Sequence, residues 1–452
     1  MVGPSPNIER KIRNTKNLID QNKEHLISEY VKNEPQNYIS KENYDKLNTF
    51  KPWIDEVKPI KNIKSLQQPI RDNILVICID FSDRPAQIPI SVIQNRFFST
   101  TGKTLRNYYA ENSYGTYIPE GEVHGWYRAP QPYSYYVNYD YGGGTYPHNI
   151  WKMVEDIVDI IAYDQTINFS YIDKDNNLYI DNLIIVHSGD SASGSGSAND
   201  LWSMVTSIDR RLVNGYEYQF FALVSEYLSY PTSIQRCGVD AHEFAHLLGL
   251  PDLYDLQGNS LGTGIYSLMS NGSWGSDYGV TPVHLDAWCK NQLKFTTTIT
   301  DLQGLVTINN AELNNINYLY TTQYQNEYFL IENRQKMLFD SGLPADGLLI
   351  WKINELQYSN FDETCFKVGL IQADGLHDLE NFNNVGDSGD SYPGSTNNHS
   401  FGRITNPSSL LCDGSYPDND LYIINISNSG NVMTFEAIMT CSPLSCSLII
   451  QG

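Results

Sequence analysis

The stretch His242-Glu243-Phe244-Ala245-His246-Leu247-Leu248-Gly249-Leu250-Pro251-Asp252 restricts the possible structures of this chain more than any other. Residues four apart on a helix project from one face, so His242 and His246 can offer two imidazoles to one metal ion. Glu243 is one step round from His242, at the edge of such a site, where a water would lie. A carboxylate there can take the water's proton as general base and return it to a leaving amine. Gly249 falls where a helix C-terminus favours a left-handed residue, and a chain turned back at that point brings Asp252 towards the same ion as a third ligand. Three protein ligands with a water is the pattern of a catalytic zinc; a structural zinc is closed by four. The competing description is an ordinary buried helix with two surface histidines, which the added Gly249 and Asp252 disfavour.

The rest of the chain has to accommodate that site. At 452 residues it is long enough for two or three domains. With 41% hydrophobic and 18% charged residues it can bury a large core, which excludes disorder, collagen and coiled coil as the main state. A formal charge of −22 excludes nucleic acid as the main partner, since phosphate binding needs an excess of Lys and Arg. No apolar run approaches the roughly 18 residues of a membrane span. Met1 to Asn14 has no apolar core of a signal peptide. Seven cysteines leave at least one unpaired within the chain; Cys441 with Cys446 and Cys365 with Cys412 are candidate pairs.

The texture changes along the sequence. Residues 1–70 are rich in Lys, Asn, Glu and Gln, with helical stretches such as 8–30, and form an N-terminal pro-region-like segment or a tail. They contain no cysteine, so any latch on the metal must be a carboxylate or simple steric blockage. From 71 to about 295 apolar strands alternate with helices. Ile74 to Phe81 and Leu178 to His187 look like buried strands, 149–163 and 239–248 like helices, and 216–225 like a strand. Ser188 to Ala198, small and polar, is expected to be a flexible loop. Residues 296–441 are β-rich, with strands around 328–332 and 347–352 between turn-forming residues, and 442–452 form a C-terminal tail. The fold class expected is an α/β metzincin-like catalytic domain, a C-terminal β-rich, sandwich-like module and a helical N-terminal segment.

Beyond the first motif, Gly264-Ile-Tyr-Ser-Leu-Met269-Ser-Asn-Gly-Ser-Trp274 sets Met269 in a tight turn after the helix, as a soft apolar floor under a metal; taken alone, Met269 would be plain core. Ile74-Leu-Val-Ile-Cys-Ile-Asp80-Phe-Ser-Asp83, Asn107-Tyr-Tyr-Ala-Glu-Asn-Ser-Tyr-Gly115, Gly125-Trp-Tyr127 and Leu250-Pro-Asp-Leu-Tyr-Asp255 extend the pattern. Tyr328-Phe-Leu-Ile-Glu-Asn-Arg334 and Gly386-Asp-Ser-Gly-Asp-Ser-Tyr-Pro-Gly394 continue it into the C-terminal module. Over roughly 70–440 the chain resembles the immune inhibitor A family of secreted zinc metallopeptidases, in which Asp takes the place of the usual third histidine. The resemblance implies an extracellular zinc endopeptidase acting on protein or peptide substrates. His242, His246 and Asp252 would be its zinc ligands, Glu243 its general base and Met269 its Met-turn residue.

Weaker signals have two readings each. Asp173, Asp175, Asn177 and Asp181 have the spacing of calcium ligands. They lack the usual Gly and the closing Glu, so an acidic turn fits equally. Tyr216 to Ser225 is either an exposed edge that holds substrate by strand addition or an interior strand. Gly386-Asp-Ser-Gly389 is better explained by turn chemistry than as a serine nucleophile. A functional rival of another class is a non-catalytic, calcium-stabilised binding or adhesion protein on the same scaffold; the intact Glu243 argues against it.

Overall fold

A strand with both faces covered reads as an unbroken apolar run, and Ile74 to Ile79 is such a run. In the computed structural model, which describes residues 69–441 apart from 174, 230–232, 256 and 301, it forms β1, Asn73–Asp80, buried along its whole length. The expected helical segment before residue 69 and the tail 442–452 lie outside the described residues, as does Cys446.

Five further strands complete the first sheet: β2 (Glu120–Arg128), β3 (Leu183–Asp190), β4 (Met204–Val213), β5 (Tyr216–Ser229) and the short β6 (Ser233–Ile234). The order is β2-β1-β3-β5-β4, with β6 on β5. β1 runs parallel to β2 and β3, β3 parallel to β5, and β4 antiparallel to β5. Alternate side chains of β1 enter different cores. Leu75, Ile77 and Ile79 meet Met153, Val154, Ile157 and Ile161 of α3 (Ile150–Ile161). Ile74, Val76 and Cys78 face α1 (Ile90–Phe98), α2 (Leu105–Asn112) and α4 (Cys237–Leu247). The result is three layers, helix on sheet on helix.

The remaining strands are β7 (Thr297–Ile299), β8 (Gly304–Asn309), β9 (Ile316–Thr321), β10 (Glu327–Arg334), β11 (Gly347–Asn354), β12 (Val368–Leu370), β13 (Asn419–Ile424) and β14 (Val432–Cys441), preceded by α5 (Ala287–Gln292). They make a five-stranded sheet, β12-β11-β10-β9-β7, and a three-stranded one, β13-β14-β8. Phe329, Ile331, Leu348 and Ile350 pack against Leu421, Ile423, Met433 and Phe435 of the smaller sheet. The intervening residues Leu330, Leu349, Trp351 and Ile353 join the core that also holds α4 and α5. A disulfide joins Cys365 to Cys412, while Cys78, Cys237 and Cys289 are buried thiols.

Three local expectations need correction. β5 lies between β3 and β4, so the exposed-edge reading of 216–225 fails; the edge strands are β2 and β4. β3 begins at Leu183 rather than Leu178, because the Asp173 carboxylate holds the backbone N–H groups of Asn177 and Leu178 in a turn. The small residues at 188–198 serve close packing rather than flexibility. A Cβ on Gly194 would come within 2.2 Å of the Leu228 carbonyl, and Ser191 Oγ is buried 2.6 Å from Ser193 Oγ and 3.1 Å from Ser203 Oγ.

Candidate metal centre

The centre is built on α4, whose buried face, Val239, Ala241, Phe244 and Ala245, docks it in the core. Two contacts fix its setting: Tyr109 Oη donates to the Ala241 carbonyl at 2.7 Å, and Arg96 Nε lies 2.9 Å from Asp240. Burial pushes the Asp240 carboxyl up to about 7, with Arg96 opposing it. Gly238 has no room for a side chain, since a Cβ would lie 1.8 Å from the Ser273 carbonyl of the turn opposite. Gly249 stops the helix with φ +93°, as expected for a left-handed C-terminal residue.

The chain then folds back and delivers Asp252. Its Oδ1 lies 3.1 Å from His242 Nε2 and 3.2 Å from His246 Nε2, and the two Nε2 atoms are 3.2 Å apart. Each imidazole turns its other nitrogen to a backbone carbonyl, His242 Nδ1 to Leu268 at 2.9 Å and His246 Nδ1 to Leu250 at 2.7 Å. A carbonyl only accepts, so both Nδ1 atoms carry the proton and both Nε2 atoms present a lone pair. Two lone pairs and a carboxylate oxygen thus converge with no proton between the nitrogens, an arrangement that repels itself unless a cation lies among them. Tetrahedral bonds of zinc to such atoms would separate them by about 3.3 Å, so the triangle fits that ion. Burial lowers the His246 pKa, which favours the neutral form that a metal requires. Burial opposes ionisation of Asp252, yet its pKa lies well below the usual carboxylate range, lowered by the neighbouring His246 and His242.

Glu243 is fully buried beside this triangle on α4. Met269 is also buried; its carbonyl accepts from Leu253 N at 2.8 Å, next to Asp252. The calcium-like loop is not gathered in the same way. Asp173 spends both carboxylate oxygens on backbone N–H groups, Asp175 bonds Asn177, and Asp173, Asp175 and Asp181 do not form a convergent group.

Several further groups have no role that the sequence assigns. Tyr254 stacks at 6.4 Å on His242. Tyr358, in the loop after β11, is 45% exposed; its phenol pKa is raised by partial burial and then by the charge of Asp252. The carboxylates of Asp374, Asp387 and Asp390 come within 4.8 Å of one another. Tyr266 Oη donates to Asp390 at 3.0 Å, and burial raises the Asp390 carboxyl to about 7. Two of these acids also brace the 386–390 turn, with Gly389 N donating to Asp387 and Asp387 N to Asp390, both at 2.7 Å.

Residues 95–300 match the family described as immune inhibitor A peptidase M6, catalytic domain. The pre-pro-metalloprotease PrtV of Vibrio cholerae serotype O1 is 29% identical over 280 residues, 49% of this chain and 30% of that protein. Immune inhibitor A of Bacillus thuringiensis subsp. alesti is 28% identical over 207 residues, 40% of this chain and 30% of that protein. The chain therefore spans about 30% of the length of these curated relatives. A crystal structure of catalytically inactive OgpA from Akkermansia muciniphila with an O-glycopeptide substrate aligns over 66% of this chain and 87% of its own. Its 13% identity and TM-score of 0.28 are too distant to bear on this protein. The match at 95–300 spans α4 and the His242–His246–Asp252 triangle, so this stretch is similar to the catalytic domain of the immune inhibitor A peptidase family.

Proposed function

We propose that the protein is a zinc-dependent endopeptidase that hydrolyses peptide bonds in proteins. The observation that carries this is the triangle of His242 Nε2, His246 Nε2 and Asp252 Oδ1, with edges of 3.1–3.2 Å and both histidine protons committed elsewhere. Bound zinc would supply Lewis acidity, making water a nucleophile near neutral pH and polarising the scissile carbonyl. The chain's own residues do the rest. His242, His246 and Asp252 hold the ion, and the Leu268 and Leu250 carbonyls keep the imidazoles in the right tautomer. Glu243 takes the proton of the attacking water on its carboxylate and passes it to the departing amine nitrogen.

His242 is fully buried, whereas His246 and Asp252 keep some solvent exposure, so substrate approaches from their side. β4, one of the two edges of the first sheet and the neighbour of β5, is the strand along which an extended substrate would add. The Cys365–Cys412 disulfide supports an oxidising, extracellular setting. Among the described residues no helix is long and apolar enough to cross a membrane. The test is metal analysis of the purified chain together with an assay on unfolded casein-like protein. One equivalent of zinc and chelator-sensitive cleavage at internal bonds are expected. Release of single terminal residues would redefine the protein as an exopeptidase, and cleavage without metal would overturn the reading.

A further inference from the structure

The turn from Tyr266 to Met269 touches His242 and the chain neighbour of Asp252. The Leu268 carbonyl accepts a hydrogen bond from His242 Nδ1, and the Met269 carbonyl accepts from Leu253, the neighbour of Asp252. What holds this turn comes largely from further along the chain. Leu268 N donates at 3.2 Å to the His284 carbonyl, and His284 N donates at 2.8 Å to Asp340 Oδ1. Asp340 follows β10 and is fully buried, gripped by Arg334 through Nε at 2.6 Å and through Nη2. The same guanidinium sends Nη1 to the Tyr266 carbonyl at 3.4 Å and to Glu332 at 3.2 Å. Ser267 Oγ is tied to Asp286 at 2.6 Å. The His284 ring lies 2.7 Å from Glu111 Oε1, which also accepts at 2.8 Å from the N–H of Phe339, the residue before Asp340.

We propose that the buried Arg334–Asp340 pair is a positioning element of the metal centre, acting through the His284 and Leu268 backbone on the Nδ1 side of His242. A hydrogen bond on the far nitrogen of a ligating imidazole fixes ring orientation and basicity, and loss of such an outer contact typically weakens metal binding by about 10–100-fold. The pair lies in the β-rich part of the chain, so that part completes the metal site rather than merely accompanying it. This inference rests on the zinc reading above.

The test uses the full chain and Zn2+ alone. Arg334→Met with Asp340→Leu removes both charges together, which buried pairs tolerate far better than loss of one partner. Asp340→Asn is the milder companion should the double variant not fold. Each is compared with Ile350→Ala, a core truncation in the sheet interior chosen as a control for general destabilisation. Chelator competition should show zinc affinity falling about tenfold or more in the pair variants, and the visible absorption of the Co2+-substituted protein should shift. Ile350→Ala should change neither at a comparable loss of melting temperature. Folded pair variants with wild-type zinc affinity and Co2+ spectrum overturn the proposal, as does an equal loss in Ile350→Ala. If the wild-type chain takes up no Zn2+, the metal reading itself falls, and this proposal with it.

Discussion

Asn360 Nδ2 donates at 2.8 Å to the carbonyl of Leu253, tying the loop between β11 and β12 to the residue after Asp252. Asn360 is fully buried and also exchanges hydrogen bonds with Val368, donating at 2.8 Å and accepting at 3.1 Å. Truncation to Ala strands these backbone groups, at a cost of roughly 1–3 kcal/mol. Asn360→Ala should melt earlier and hold zinc less tightly. An unchanged melting curve would show that the loop does not brace the Asp252 segment.

Glu243→Gln keeps the shape of the side chain and removes its basicity. Zinc content should stay at the wild-type level while turnover drops by about 10²–10⁴-fold, the usual contribution of a positioned general base. Metal analysis and steady-state rates on one preparation decide it, and a variant that still cleaves at full speed removes Glu243 from the role.

His246→Ala deletes one corner of the triangle. The ion should be lost from the purified protein, along with its activity. A variant that retained both would strike His246 from the ligand set.

His187 lies away from the triangle, fully buried, with Nδ1 3.0 Å from the Ser188 carbonyl, and burial lowers its pKa to about 3. Between pH 6.5 and 3 the unfolded chain takes up a proton there that the folded chain refuses, so this contribution to stability shrinks as pH falls through that window. The full span corresponds to about 5 kcal/mol on the usual scale of 1.36 kcal/mol per unit. Asp240 and Asp390, with raised pKa values, push the other way. The clean observable is therefore the difference between wild type and His187→Gln. The gap in unfolding free energy should change steadily in favour of the variant as pH drops from 6.5, and parallel pH profiles would refute it.

Much of this could be read in the sequence where a periodicity or a fixed spacing reported it. The four-residue step from His242 to His246 placed both imidazoles, Gly249 marked the helix end, and the unbroken run at 74–79 announced a strand covered on both faces. Asn360 and Asp340 left no such trace, and Tyr254 and Arg334 stood in recognised stretches without a role, because each acts through a partner defined only by the tertiary fold. Arg334 meets Tyr266 across 68 residues and Asn360 meets Leu253 across 107. Strand order was hidden for the same reason: a buried apolar strand such as β5 looks alike at the edge or in the interior until its neighbours are known. The serines and glycines of 188–198 misled because small residues signal either freedom or tight contact, and only the nearby Leu228 carbonyl decides which.

The two-faced character of β10 and β11 has a practical consequence for anyone trimming this protein. Leu330, Leu349 and Trp351 share hydrocarbon with Phe244 and Trp288, so a cut near residue 295 that spares His242, Glu243, His246 and Asp252 would still leave a wide greasy wound. Such a fragment should be recovered as insoluble aggregate, and the smallest workable enzyme should need the strands that carry no chemistry of their own.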